Sequence, residues 1–152
     1  MGNRAVITTK EKELGIYCHW NGGPNSVCAF LTYAKAYGVR DPEYDPAYFF
    51  ARLSQIISNF FGGTLSIGVN VYNHLDADNG DNGVYIVSKG FDIVERLYNV
   101  PDYVETVTAT DLRGFLYEIN HRMGNNGLSD EDLHLLDEVK FVKVPGLKIK
   151  GE

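Results

Sequence analysis

The stretch Gly15-Ile-Tyr-Cys-His-Trp20-Asn-Gly-Gly-Pro-Asn-Ser26-Val-Cys-Ala-Phe30 constrains the fold more than any other part of the chain. It begins as an apolar, β-prone run, breaks at two glycines, and resumes as the capped start of a helix. A strand that feeds a helix through glycines aims backbone N–H groups and a positive dipole end at one point, where an anion can dock. His19 and Trp20, the latter the chain's only tryptophan, stand immediately before that turn. The stretch is therefore a candidate phosphate site flanked by a cation-capable ring. The plainer alternative is a tight turn at Gly22-Gly23 with Trp20 as a core anchor.

A chain of 152 residues fits one domain with a sizeable core, and 12% aromatic content leaves rings for stacking surfaces as well as for that core. No apolar run approaches the length of a membrane span, and the first residues lack the order of a signal peptide. Cys18 and Cys28 show neither CxxC nor zinc spacing, so reduced, buried thiols in a cytosolic protein are expected. The formal net charge of −6, with scattered lysines and arginines, argues against long nucleic acid, which needs a basic face. A small anion needs only a few placed arginines and remains compatible.

Strand patterns cover Arg4–Thr9, Gly15–Trp20, Leu65–Tyr72, Val84–Val87 and Ile93–Tyr98. Helical patterns cover Ser26–Tyr37, closed by Gly38, and Ala47–Phe61, closed by Gly62-Gly63, with Phe50, Leu53, Ile56, Ile57 and Phe60 as an apolar stripe. A third runs from Asp111 to Met123, and Ser129 starts a short fourth with Asp132 completing a partial capping box. The tail from Val144 reads as a terminal strand or a loose end. These elements predict a single α+β domain over residues 1–152, an antiparallel sheet packed on one face by helices.

The acidic run Asp76–Gly83 fails as a calcium loop, because Gly80 and Val87 fall where an EF-hand needs oxygen ligands. It reads as a solvated turn. No spacing pairs Cys18 or Cys28 with His19, His74, His121 or His134 as nucleophile and base, and Ser66 is not in a nucleophile elbow. Neither a catalytic group, a metal site nor a cofactor is implied. Asn21-Gly-Gly-Pro-Asn-Ser26 resembles the loop of pyrophosphate-loop nucleotide enzymes, but Asn21 and Asn25 replace its Ser and Asp, and the alternating βα units of that fold are missing. Among the arginines, Arg52 falls in the middle of the apolar second helix, where a charge needs a partner. Arg113 and Arg122 fall on the third helix near its apolar face, as phosphate ligands or as ion-paired surface residues.

Gly15-Ile-Tyr-Cys-His-Trp-Asn-Gly-Gly23, Ala51-Arg-Leu-Ser-Gln-Ile-Ile-Ser-Asn-Phe-Phe-Gly-Gly63 with Ser66-Ile-Gly68, and Asp81-Asn-Gly-Val-Tyr-Ile86 together resemble the first family of phage-encoded Thoeris anti-defence proteins, which includes homologues integrated in Firmicutes genomes. The likeness runs from about Asn3 to about Val94. It implies a protein of the infected host's cytoplasm that sequesters a cyclic ADP-ribose signal, of the glycocyclic type, without degrading it. It also implies a homo-oligomer built from dimers, with the nucleotide in pockets between subunits. Some members hold cyclic oligonucleotides at a second site, and this chain carries Pro24-Asn25 where relatives carry Arg-Asp.

A sponge must hold its signal at nanomolar affinity, roughly −12 kcal/mol. Base stacking supplies on the order of 1–3 kcal/mol and each charge-assisted bond to pyrophosphate about 1.5–3 kcal/mol. The expected phosphate ligands are Arg52, Arg113 and Arg122. The expected stacking groups are Trp20, Phe91 and Tyr85, with Asn59 and Asn82 at base edges and His19 beside the turn. Two other classes stay open: an enzyme acting on a nucleotide, whether a hydrolase of the signal or a pyrophosphate-loop relative, and an inhibitor that docks directly on a defence protein.

Overall fold

A computed structural model describes residues 2–62 and 66–152. Strands β1 (Ala5–Thr9) and β2 (Leu14–Cys18) pair antiparallel through a charged turn at which Lys12 takes a positive φ of 53°. Helix α1 (Pro24–Tyr37) follows the double glycine, and Gly38 closes it in the left-handed conformation, φ 92°. Helix α2 (Pro46–Phe60) opens with Pro46 in its first turn and with the Asp45 carboxylate accepting the Tyr48 N–H. Then come β3 (Ile67–Val71), β4 (Val84–Val87), β5 (Ile93–Leu97), β6 (Glu105–Thr108), α3 (Ala109–Arg122), the one-turn α4 (His134–Glu138) and β7 (Leu147–Lys150). The expected strand start at Leu65 and the second glycine of the Gly62-Gly63 stop lie outside the described residues.

The main sheet has the order β3-β2-β1-β4-β5. Its class is α+β as expected, but the sheet is mixed rather than antiparallel, because β4 runs parallel to β1. The cause is the connection from Tyr72 to Gly83. It leaves edge strand β3 and crosses β2 and β1 to start β4 at the end where β1 starts, with Tyr72, Leu75 and Ala77 packing on Val6, Val84 and Ile86. The connection therefore covers the sheet face that the helices leave free. Asn79, 3% exposed, organises it: its Nδ2 donates to the Asp76 and Gly83 carbonyls and its Oδ1 accepts from Asp81 N and Gly83 N. The acidic run is a turn built around one buried amide.

On the other face Ile7, Ile16, Cys18, Tyr85, Val87 and Ile93 meet the helices. Helix α1 is buried at every position from Ser26 to Ala34, which makes it the central helix, wrapped by α2, α3 and α4. The tail, read as a strand or a loose end, is a strand: β7 pairs parallel with β6, Glu105 opposite Leu147 through Thr108 opposite Lys150.

Candidate functional site

The stretch before α1 places its rings in a row. Tyr17 alternates with Ile16 and so faces away from the helices, and its hydroxyl shares a 2.9 Å hydrogen bond with His19 Nδ1. The Trp20 indole packs edge-on against the His19 ring at 5.1 Å and is 46% exposed. Partial burial pushes the Tyr17 phenol above its ordinary range. The row leads into a shallow cleft of about 340 Å³ lined by Tyr17, Gly68, Val69, Asn70, His74, Leu75 and Asp76. Gly68 sits directly opposite Tyr17 in the β2–β3 register, and among the described residues nothing lies within 4 Å of the space its missing side chain leaves. The cleft combines aromatic faces, imidazole, amide and carboxylate groups, with Arg4 set behind it. That guanidinium is tied to Asp81 at 2.7 Å and lies 3.9 Å from Asp76.

The turn itself is tighter than an open phosphate cradle. Gly22 N–H donates to Asn3 O, and a Cβ on Gly22 would stand 2.5 Å from that oxygen, so the residue must be glycine. The Tyr85 hydroxyl donates to Gly22 O at 2.7 Å. Pro24 at the first helical turn has no N–H, Ser26 N is taken by the Asn25 side chain, and Val27 N by Gly23 O. Gly23 and Pro24 are buried, and Glu105 Oε2 reaches to 4.0 Å from the Gly23 side-chain position. The positive end of α1 thus already faces a carboxylate.

The arginines singled out by sequence are spread apart. Arg52 is exposed, away from the apolar stripe; it donates to Gln55 Oε1 and lies 5.0 Å over the Tyr48 ring, which Arg40 also covers at 4.6 Å. The helical phase explains this: Phe49, Leu53, Ile56 and Ile57 are buried, whereas Arg52 shares its face with Tyr48 and Gln55. Arg113 donates to the Leu136 and Val139 carbonyls and stacks on Phe141 at 4.1 Å. Arg122 bridges the Glu118 carboxylate and the Phe60 carbonyl at the end of α2.

Of the expected stacking groups, Tyr85 and Phe91 are core residues at 0% and 5% exposure, and Trp20 alone presents an open ring. Asn59 donates to Met123 Sδ, while Asn82 donates to Asn3 Oδ1 and Arg4 O. Sequence reasoning named Tyr17 and Gly68 only within motifs, weighed His74 as a base and Asp76 as part of an acidic turn, passed over Asn70, and proposed none of them as a ligand contact. Strand alternation marks Tyr17 as outward-facing, but nothing in the sequence brings the loop residues His74 and Asp76 to it. It also passed over Arg96, which is 9% exposed, lies 4.5 Å over the Tyr85 ring, and has an Nε without a partner among the described residues.

Burial pushes the Cys18 and Cys28 thiols up to about 12, which removes both as nucleophiles. Among the described residues no three metal-ligating side chains converge, and no helix is long and apolar enough to cross a membrane. No protein-family model, curated protein or solved structure matches this chain.

Proposed function

We propose that this protein binds and holds a cyclic ADP-ribose signalling nucleotide without cleaving it, and so blocks Thoeris antiphage defence in the host cytoplasm. One observation carries the reading: two of the three motifs on which the family resemblance rests meet at one cleft. The first supplies Tyr17, with His19 and Trp20 in contact behind it, and the second supplies Gly68 near the start of β3. A volume of about 340 Å³ is at the low end for a ligand pocket, so one chain covers part of a nucleotide and a second copy supplies the rest. The outer strand β3 fits that role. Its sequence Ile-Gly-Val-Asn-Val carries no charge or proline to blunt an edge, and Val69 and Val71 are 52% and 45% exposed.

Titration calorimetry against a panel of cyclic ADP-ribose isomers tests the reading, followed by heat denaturation and assay of the released nucleotide. Nanomolar binding with intact ligand returned is the expected result. Absence of binding, or consumption of the nucleotide, overturns it. Because Trp20 is exposed, Trp20→Ala should fold normally and weaken binding by about 1–3 kcal/mol, roughly 5- to 150-fold.

A further inference from the structure

A second cavity lies on the helix side of the sheet, at the other end of β1 and β2. Its volume is about 160 Å³, and it opens between the β1–β2 turn and the loop that leads into α2. Leu14, Pro42, Pro46 and Phe50 make an apolar floor. The rim carries Glu11 and Glu13 on the turn, Glu43 on the opposite loop and, among the described residues, a single cation, Lys10. Glu43 is held in place by its Oε2, which accepts Lys89 N–H at 2.5 Å, while its Oε1 lies 3.9 Å from the exposed Lys10 ammonium. That separation is too long for a hydrogen bond. Among the described residues the carboxylates of Glu11 and Glu13 take part in no hydrogen bond or ion pair.

We infer that this cavity is a binding site for a short aliphatic diamine. The charge disfavours anions, nucleotides included, because three glutamates line the cavity against one lysine. The floor excludes a bare hydrated cation, since it offers apolar surface rather than oxygen ligands. A cavity of about 150 Å³ takes a ligand the size of benzene, and butane-1,4-diamine matches that size. Its chain would cover Leu14 and Phe50 while its ammonium groups reach carboxylates on both walls, Glu11 or Glu13 on one side and Glu43 on the other. Lys10 Nζ, 3.9 Å from Glu43 Oε1 and largely exposed, is the ammonium a ligand would have to displace from that carboxylate.

The test titrates the full-length protein with butane-1,4-diamine by calorimetry and by NMR shift mapping, with butane-1,4-diol and butanedioate as controls. Saturable one-to-one binding at about 1 mM or tighter is expected for the diamine and none for the controls. The double variant Glu11→Gln/Glu13→Gln should keep its melting temperature and bind at least about tenfold more weakly. Lys10→Ala removes the resident competitor and should bind more tightly. Equal binding of the diol, undiminished affinity in the double variant, or shifts outside this cavity overturns the proposal. Nα-acetyl-lysine methylamide binding as well as the diamine also overturns it, because a protein lysine would then be the occupant.

Discussion

Replacing Arg113 by alanine separates a ligand-binding arginine from a structural one. Helix α4 is one turn long and its last carbonyls have no further turn to satisfy them. The Arg113 guanidinium does so from α3, donating to Leu136 O at 2.9 Å and Val139 O at 2.5 Å while it lies 4.1 Å over the Phe141 ring. Each charge-assisted bond is worth about 1.5–3 kcal/mol when buried and the ring contact about 0.5–2 kcal/mol. The side chain is half-buried, so solvent returns part of that, and the net loss in Arg113→Ala comes to about 2–4 kcal/mol. For a domain of this size the melting temperature should fall by roughly 5–15 °C. Arg113→Lys should recover less than half, because one ammonium cannot span two carbonyls and loses the planar stack. Circular-dichroism melts give the stability, and calorimetry below the transition gives nucleotide affinity of the folded fraction, which should match the wild type. A melting temperature within about 1 °C of wild type, or intact stability with lost affinity, would refute this reasoning and return Arg113 to the ligand.

The thiols of Cys18 and Cys28, pushed up to about 12 by burial, should resist iodoacetamide in the native protein at neutral pH and react fully once denatured; native labelling would show that the core opens locally. Arg4 holds the Asp81 carboxyl below the ordinary value of about 3.9, through its side chain and its backbone N–H. The stabilisation is complete above that ordinary value and is lost as pH falls through the lower folded one, so Asp81→Asn should be destabilised near neutral pH and indistinguishable from wild type in strong acid, as read from melts across the pH range. Light scattering of ligand-free protein at micromolar concentration should give at least twice 17.0 kDa, and a monomer mass would remove the second copy from the proposed site.

Most of the fold was legible because its signals are local. Apolar periodicity and glycine stops located β1, β2, β4, β5 and three helices to within about two residues, the ordinary ambiguity of such boundaries. Two features escaped. Strand direction leaves no trace in alternation, so the parallel β1–β4 pair was hidden: it follows from where the Tyr72–Gly83 connection crosses, and Asn79 fixes that crossing through contacts within the loop. The β6–β7 ribbon pairs residues some forty positions apart, and its strands show alternating half-exposure with no apolar run to announce them.

The site was less legible, and for a physical reason. Residue type says that an arginine wants acceptors, but acceptors include the protein's own carbonyls. Arg113 and Arg122 both end on main-chain oxygens at helix C-termini, where the dipole already favours a cation. A sequence cannot distinguish that use from phosphate binding, because the carbonyl acceptor can belong to any residue. Trp20 and His19 drew attention because Gly22-Gly23 announces a turn just beyond them; the two glycines are buried, and Trp20 stands 46% exposed beside Asn21, whose φ of 55° turns the chain. The same logic sets the order in which the candidates merit mutation. Residues exposed by a local backbone requirement, Trp20 first, are free to meet a ligand, whereas residues whose donors are consumed by main-chain oxygens report on stability before they report on binding.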